Sequence, residues 1–422
     1  MPLLITNANE VVTMASEVKG PRIKQAMTNI GVRKNVSILL ADERIVDIAP
    51  PEKLHQDWPQ LVEQAEIIDA SGKVVMPGLV DCHTHLVHGG TREDEFQMRL
   101  EGKTYMEIMQ AGGGIHSTTK KTRAASFEQL YAKAYLHLND FLKHGVTTVE
   151  AKSGYGLDWE NEKKQLEVVK ALQKKHPIDI VSTFMGAHAV PLEYKGNEEA
   201  FVDYIIQQML PQVAKDKLAA FNDVFCEKGV FTPRQAQRIL EAGKALGLIP
   251  KIHADEIESY EGAELAAQVG AISAEHLLVA SDKGIRAMAK AGTIAVLLPG
   301  TAFFLKAPYA RGRFIIDEGV PVAISTDFNP GSSPTISLPF IQNLACMHME
   351  MTLEEVLTAT TINAAYAIHR EGEIGSLECG KKADVLILNV SNYKQLQYYY
   401  GMNHTNTVIK NGEVVVRGGV LL

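Results

Sequence analysis

Imidazole and carboxylate side chains occur in this sequence where a metal site would need them. His83 and His85 close one apolar segment, and His253, His276 and Asp327 each close a later one. Residues two apart on a strand face the same side, so His83 and His85 can bind one ion. Imidazole nitrogens and carboxylate oxygens bind divalent metals, and a bound ion lowers the pKa of water to about 7. The pattern therefore predicts a metal site that supplies hydroxide near neutral pH.

Each of these residues also has an ordinary structural explanation. An isolated His-x-His pair is weak evidence, because many such pairs lie on the surface or in a core. For His253, His276 or Asp327 alone, a core or capping role is the more common one. Four predicted strand ends that each carry a ligand-type side chain favour a shared site instead.

The elements that must position these residues alternate between strands and helices, which favours a parallel sheet with helical crossovers. Eight predicted strands are the number that closes a (β/α)8 barrel, and such barrels carry their chemistry at the C-terminal strand ends. The predicted strands are Leu79–Cys82, Val146–Glu150, Asp179–Phe184, Asp223–Cys226, Lys251–His253, Ala271–Glu275, Ile294–Leu298 and Pro321–Thr326.

Helix signals separate the strands. Ser126 and Gln129 form a predicted capping box at the start of a helix that ends near Gly145. Thr232-Pro233 begins another helix, which ends near Gly247.

Both ends of the chain are predicted to be β structure. Val36–Leu40 and Arg44–Ile48 form a hairpin pattern, and Asn411-Gly412 is a typical two-residue turn between two late strands. Before residue 76 a helix is indicated only around 52–65. We therefore expect one small β-sandwich built from residues 1–76 and 373–422, with the barrel at 77–372.

The connection from residue 88 to 126 is longer than a barrel crossover needs and contains Gly112-Gly113-Gly114. It is a candidate lid or substrate loop. An insertion without a direct role is the alternative.

Composition excludes other classes. The 422 residues carry a formal net charge of −8, and no run of Lys and Arg suits nucleic acid. The N-terminus lacks a basic leader, and no apolar run is long enough to cross a bilayer. The four cysteines, Cys82, Cys226, Cys346 and Cys379, are too far apart for a disulfide scaffold or a zinc ribbon. We expect a cytoplasmic protein without nucleic-acid or membrane partners.

The segment 77–85, Pro-Gly-Leu-Val-Asp-Cys-His-Thr-His, together with His253, His276 and Asp327, resembles the amidohydrolase superfamily over essentially the whole chain. Its members place a (β/α)8 barrel beside a β-sandwich made from both chain ends. More specific segments resemble the imidazolonepropionase family of histidine degradation; they are 89–92, 112–115, 152–157, 186–191 and 327–332.

This resemblance implies one zinc or iron ion per subunit, held by His83, His85, His253 and Asp327. His276, Glu256 and Asp327 would then be catalytic. Both Asp255 and Glu256 are acidic, and a position three residues beyond His253 favours Glu256 as the group that faces the metal-activated water. Two-metal relatives use a carboxylated lysine; Lys228 and Lys152 could be proposed for that role, but ordinary ion pairs are expected.

The implied substrate, imidazolone propionate, is a small anion, so an acidic protein needs a specific cation to bind it. Arg92 is the expected carboxylate ligand, because its guanidinium can form two parallel hydrogen bonds. A surface ion pair with Glu93 or Asp94 is the alternative. The other expected substrate-binding residues are Tyr105, Tyr155, His188, Glu256, Asn329, Gly331 and Ser332. His188 could equally order the metal ligands.

The implied reaction is hydrolysis of the cyclic amide of 4-imidazolone-5-propanoate to N-formimidoyl-L-glutamate. Another cyclic amidase or a heterocycle deaminase of the same superfamily is the first alternative. A non-catalytic scaffold is the second, and the retained ligand residues argue against it. Family resemblance also suggests a homodimer.

Overall fold

The computed structural model describes residues 1–103, 107 and 112–422. Its strands are, in chain order, β1 Leu3–Thr6, β2 Glu10–Val12, β3 Val32–Arg33, β4 Ser37–Ala41, β5 Arg44–Ala49, β6 Glu66–Asp69, β7 Val74–Pro77, β8 Leu79–Asp81, β9 Val146–Lys152, β10 Asp179–Ala187, β11 Phe221–Cys226, β12 Ile249–Ala254, β13 Ser273–His276, β14 Ile294–Leu297, β15 Val322–Ile324, β16 Val385–Leu388, β17 Thr405–Lys410, β18 Glu413–Arg417 and β19 Val420–Leu421.

Strands β8 to β15 form one parallel sheet in sequence order. The first and last strands meet just beyond their ends, where Thr84 bridges Phe328 in parallel. The amide of Asp327 donates to the carbonyl of His83 at 3.1 Å, and the amide of His85 donates to that of Phe328 at 2.9 Å. These bonds close the barrel next to the predicted ligands.

All eight predicted barrel strands are present, with bounds that differ by up to three residues. Their side chains are buried almost throughout, as expected for parallel strands covered on both faces. A carboxylate also joins the closing strands: Asp81 accepts hydrogen bonds from the Thr326 amide at 3.2 Å and its hydroxyl at 2.7 Å.

The α-helices among the described residues are Pro51–Asp57, Pro59–Gln64, Glu93–Leu100, Ile115–Ala124, Phe127–Lys143, Trp159–Leu172, Glu198–Tyr204, Leu210–Lys215, Pro233–Ala245, Gly262–Val269, Asp282–Ala291, Pro299–Leu305, Gly312–Glu318, Leu338–His348, Leu353–Ala359, Ile362–Ala367 and Gln395–Tyr398. Short 3-10 turns lie at Lys24–Thr28 and Leu192–Tyr194, and a π turn lies at Ile205–Met209. The capping box predicted at Ser126 is formed, and the helix predicted to begin at Thr232-Pro233 also starts with a capping box, between Thr232 and Gln235. None of the helices in this part of the chain has the length and apolarity needed to span a bilayer.

The long connection is more ordered than a simple loop, because Glu93–Leu100 and Ile115–Ala124 are helical. Three acidic residues occupy the first turn of Glu93–Leu100, where their negative charges stabilise the helix by interacting with the positive end of its dipole.

The terminal segments form two further sheets. One has the order β5-β4-β1-β6 and the other the order β19-β18-β17-β16-β7-β2-β3. Apolar residues of both sheets pack in one core, among them Ile5, Ile38, Val385 and Ile409. The predicted hairpin turn lies at Asn411 and Gly412, both with positive φ. The expected fold class, a (β/α)8 barrel with a small sandwich built from both chain ends, is confirmed.

Candidate metal centre and active site

The C-terminal end of the barrel brings the predicted ligands together. Nε2 of His83 lies 3.4 Å from Oδ1 of Asp327, and Nε2 of His85 lies 3.7 Å from the same oxygen. The ring of His253 is centred 4.6 Å from that of His83, and the ring of His276 is centred 5.2 Å from that of His253 and 5.7 Å from that of His83. Two overlapping triads result, His83–His85–Asp327 and His83–His253–His276, each with donor atoms within 4.8 Å of one another.

Several potential metal-binding atoms of this cluster are buried and have no hydrogen-bond partner among the described residues. They include Nε2 of His83, Nε2 of His253 and Oδ1 of Asp327. Buried polar atoms in folded proteins are almost always paired, so converging unpaired acceptors fit a cation between them. Imidazole nitrogens with one carboxylate oxygen form a donor set that suits zinc or iron. The residues present therefore fit the implied metal.

A buried partner orients three of the four expected ligands. Nδ1 of His83 donates to Glu275 at 2.5 Å, and Nδ1 of His253 donates to Asp223 at 3.1 Å. A carboxylate can only accept, so the proton is on Nδ1 and the Nε2 lone pair is free. The hydroxyl of Thr301 donates to Oδ2 of Asp327 at 2.5 Å, which leaves Oδ1 facing the imidazoles.

The backbone at the site is unusual. His276 and Asp327 have φ of 72° and 51°, in the left-handed region that residues with side chains rarely adopt. His276 is the last residue of β13, and Asp327 lies three residues beyond the end of β15. Such strain persists at functional sites where the surrounding structure over-determines it.

Burial shapes the electrostatics. Desolvation lowers the pKa of His83, His85 and His276 well below that of free histidine, so these rings are neutral and can act as ligands. Burial also raises the pKa of Asp327 to about 7. A cation at the cluster would oppose that shift.

Glu256 and Asp255 have different surroundings. Oε2 of Glu256 lies 3.6 Å from Nε2 of His276, and burial, with the charges of Asp327 and Glu227, raises the pKa of Glu256 to about 8. The Asp255 carboxylate instead accepts backbone hydrogen bonds, at 2.7 Å from the amide of Tyr260 and from two further amides. Asp255 therefore holds its loop, and Glu256 is the carboxyl beside the ligand cluster.

The guanidinium of Arg92 lies between the long connection and the loop that follows Asp327. Its Nε donates to Thr118 at 2.7 Å, and its Nη1 lies 3.9 Å from Glu95. The side chain is 12% exposed. Among the described residues the acidic partner is thus Glu95 rather than Glu93 or Asp94, and its oxygen lies beyond hydrogen-bond distance of Nη1.

Asn329, Gly331 and Ser332 form a compact turn beside this arginine. The amides of Gly331 and Ser332 both donate to the Asn329 side-chain oxygen at 2.8 Å, and its Nδ2 donates to the carbonyl of Asp327 at 2.7 Å. We expected these groups to be free donors for a substrate ring. The structure engages them within the turn instead, because the Asn329 amide satisfies the backbone locally.

Tyr155 and His188 both lie beside His85. The ring of His188 stacks on that of His85 at 4.8 Å, and Tyr155 lies 5.6 Å from His85. Gly154 allows His188 to pack against the backbone of this loop, since a Cβ at position 154 would lie 2.8 Å from Nδ1 of His188. The carboxylate of Glu162 fixes the loop by accepting from the amides of residues 154, 156 and 157. Tyr105 lies outside the described residues.

The two lysines considered for carboxylation both form ion pairs. Lys152 is fully buried, with Nζ 2.7 Å from Asp223 and 3.0 Å from Glu150. Lys228 is exposed and pairs with Glu258 at 2.8 Å.

Sequence reasoning missed Asp223, Glu275, Thr301 and Glu162. A signal for the first two was present, because they are charged residues within otherwise apolar strands. Thr301 and Glu162 lie on helices after strands and carry no local signature.

Comparisons with known proteins agree with this geometry. A model of the Amidohydrolase family matches residues 74–415. An imidazolonepropionase of Geobacillus sp. (strain WCH70) is 61% identical over 420 residues, covering 100% of this chain and 99% of the relative. An imidazolonepropionase of Brevibacillus brevis (strain 47 / JCM 6285 / NBRC 100599) is 62% identical with the same coverage. The chain belongs to the imidazolonepropionase family of amidohydrolases. The resemblance noted in the sequence is confirmed.

Solved structures match at lower identity and show the fold alone. A zinc-bound adenosine deaminase from Xanthomonas campestris has a TM-score of 0.72 at 18% identity, covering 100% of this chain and 94% of that one. The guanine deaminase of E. coli has a TM-score of 0.73 at 12% identity, with 99% of each chain covered. This chain thus has the same barrel fold as the two deaminases.

Proposed function

We propose that this protein hydrolyses the cyclic amide bond of 4-imidazolone-5-propanoate, giving N-formimidoyl-L-glutamate in histidine degradation. The observation that carries the proposal is a cluster of buried metal-ligand atoms, with Arg92 packed against the loop that follows Asp327, in a chain whose full-length relatives are imidazolonepropionases. The ligand cluster could hold a metal ion that activates water for amide hydrolysis, and the arginine could bind the propionate carboxylate.

One zinc or iron ion per subunit is the proposed cofactor, with His83, His85, His253 and Asp327 as its ligands. Such an ion lowers the pKa of water and polarises a carbonyl oxygen. Glu275, Asp223 and Thr301 hold three of these four side chains in the orientation that presents Nε2 or Oδ1.

Proton transfer is assigned to the carboxyl groups of Glu256 and Asp327. A carboxylate beside the reacting water can take its proton and return it to the leaving nitrogen. His276, 3.6 Å from Glu256, is the proposed donor to the oxyanion that forms at the attacked carbonyl. The ring opens when its C–N bond breaks and the leaving nitrogen gains the proton.

Substrate binding is assigned first to Arg92, which can hold the propionate carboxylate by two parallel hydrogen bonds. Tyr155 and His188 are proposed to contact the substrate ring beside His85, and Glu256 is proposed to contact it beside His276. Asn329, Gly331 and Ser332 are proposed to act through their turn, which seats Arg92. Tyr105 remains a proposed contact from the long connection.

Two assays on metal-loaded protein test the reaction. Imidazolone propionate should lose its ultraviolet absorbance, and N-formimidoyl-L-glutamate should appear in equal amount. Release of ammonia from a heterocycle, without ring opening of this substrate, would assign the chain to a deaminase instead. Protein that holds no zinc or iron and opens no ring would contradict the enzymatic proposal.

We also propose a cytoplasmic homodimer with no nucleic-acid or membrane partner, and domains at 1–76, 77–372 and 373–422. An apolar groove of about 830 Å³ supports self-association: Met347, Tyr398 and Tyr400 line it and are strongly exposed. Large exposed apolar patches commonly mark interfaces. Light scattering after size-exclusion chromatography tests this, and a monomer at micromolar concentration would contradict it.

A further inference from the structure

Five ionisable side chains fill the barrel beneath the proposed metal ligands. Each side chain is 0% exposed, and none of them is among the four expected ligands; they are Glu150, Lys152, Asp223, Lys251 and Glu275. Three carboxylates and two ammonium groups therefore share one interior without water contact. Burying charge in this way is costly unless every group is paired.

The pairs form one continuous path between two metal-ligand imidazoles. From Nδ1 of His83 the path reaches Glu275 at 2.5 Å, and the other oxygen of Glu275 lies 3.8 Å from Nζ of Lys251. Nζ of Lys251 is 3.0 Å from Oε1 of Glu150.

The same Glu150 oxygen is 3.0 Å from Nζ of Lys152. Lys152 reaches Asp223 at 2.7 Å, and the second Asp223 oxygen accepts from Nδ1 of His253 at 3.1 Å. Charges alternate in sign along the whole path. Glu150 is its midpoint, since both ammonium groups meet one of its oxygens.

Strand geometry explains this arrangement. Glu150 and Lys152 are two residues apart on β9, and Lys251 and His253 are two apart on β12, so each pair points to the same side. Asp223 on β11 completes the path between them. Thr183 on β10, the strand next to β9, also donates its hydroxyl to Glu150.

A second metal ion is not the better explanation of this cluster. His83, Glu150 and Glu275 do offer three donor atoms close together. However, Nζ of Lys251 contacts both carboxylates of that triad, and so the positive charge is supplied by the chain itself.

We propose that Glu150, Lys152 and Lys251 form a positioning bridge that couples His83 to His253 and thereby sets the affinity of the site for its metal. Each terminal carboxylate faces an imidazole with one oxygen and an ammonium with the other, so the bridge fixes both ring orientations together. This inference rests on the metal site of the proposed function. Glu150 touches neither ligand, so it is a positioning residue.

The test compares zinc-loaded wild-type and Glu150→Gln protein by competition with a chromogenic chelator. The substitution keeps the side-chain shape and removes the charge that both ammonium groups share. We expect the dissociation constant for zinc to rise about 10- to 100-fold, the range typical of lost outer-shell partners of metal-bound histidine. Nitrogen-15 NMR of the histidines should show His83 and His253 changing together.

Asp384→Asn is the matched control. Asp384 pairs with the buried Lys410 at 2.9 Å, away from the ligands, so its loss should lower the melting temperature and leave the zinc affinity unchanged. If Glu150→Gln does not fold, Thr183→Val removes only the hydroxyl that donates to Glu150, and it should weaken zinc binding in the same direction.

A double-mutant cycle tests the coupling itself. Asp223→Asn and Glu275→Gln should be non-additive in zinc affinity, because either one breaks the same path. Wild-type affinity in every bridge variant that folds, or strict additivity in the cycle, overturns the proposal. A wild-type protein that holds no metal would instead refute the metal site of the proposed function.

Discussion

Arg92 occupies space that a side chain on residue 331 would need. A Cβ built on Gly331 lies 2.7 Å from Cζ of the Arg92 guanidinium, closer than real carbon contacts allow. The carbonyl of Gly331 is also held, by Nη2 of Arg99 at 3.1 Å. A larger residue at position 331 would therefore force the Arg92 guanidinium to move.

Gly331→Ala should displace the guanidinium without disturbing the barrel. We expect the KM for imidazolone propionate to rise about tenfold, since one hydrogen bond to a charged group contributes about 1.5 kcal/mol or more. The kcat and the bound metal should change little. Gly372→Ala is the control, because nothing lies within 4 Å of a Cβ there. An unchanged KM in Gly331→Ala would show that Arg92 does not bind the substrate.

Arg92→Lys keeps the charge and removes the paired donors. The KM should rise about 10- to 100-fold, because a lysine cannot form two parallel hydrogen bonds to one carboxylate. A substrate analogue without the propionate should react equally with both proteins. Arg286→Lys serves as control, since this arginine forms an exposed ion pair with Glu318. Equal losses on both substrates would contradict a carboxylate-binding role.

Glu256→Gln removes the carboxyl next to His276. We expect kcat to fall about 100- to 10,000-fold, the usual contribution of a general acid or base. The carboxylate must be ionised to accept a proton, so wild-type activity should fall as the pH drops through its pKa. A bound cation at Asp327 would bring that pKa below the value of about 8 set by burial.

The amide in Glu256→Gln does not titrate, so the acid limb of the kcat/KM profile should disappear. Asp255→Asn provides the contrast: it should lower the melting temperature, because three amides lose part of their acceptor, and it should keep the acid limb. Loss of that limb in Asp255→Asn alone would reverse the assignment.

The barrel was predictable because its signals are local and repeated. Apolar strands separated by capped helices indicated eight βα units, and the ligand residues stand at strand ends where chain direction alone brings them together. The Asn411-Gly412 turn was predictable for a similar reason, since two residues with positive φ favour this dipeptide.

Groups that orient the ligands were not predicted, because their role depends on contacts between distant strands. Glu275 meets His83 across 192 positions, and neither residue alone indicates the other. The sequence does show charged residues two apart on buried strands, as at Glu150 and Lys152, which indicates a polar barrel interior without giving its pairing.

The helix Glu93–Leu100 was missed for a different physical reason. None of its residues is buried, so it has no apolar stripe of helical period. The helix is held by contacts with Phe304: the ring of Phe96 stacks on it at 5.0 Å, and the guanidinium of Arg99 lies over it at 4.8 Å.

Thr301 offers a test of how Asp327 is held. Its hydroxyl is a hydrogen-bond donor to Oδ2 at 2.5 Å, so Thr301→Val would leave a buried carboxylate oxygen unpaired and free to rotate. We expect zinc affinity to fall about tenfold. Thr293→Val is a matched control, because the Thr293 hydroxyl donates to a backbone carbonyl, that of Ala271, outside the ligand cluster. Thr301→Ser should restore the affinity, since it returns the hydroxyl. Equal zinc affinity in Thr301→Val and Thr301→Ser would mean that the metal alone fixes the orientation of Asp327.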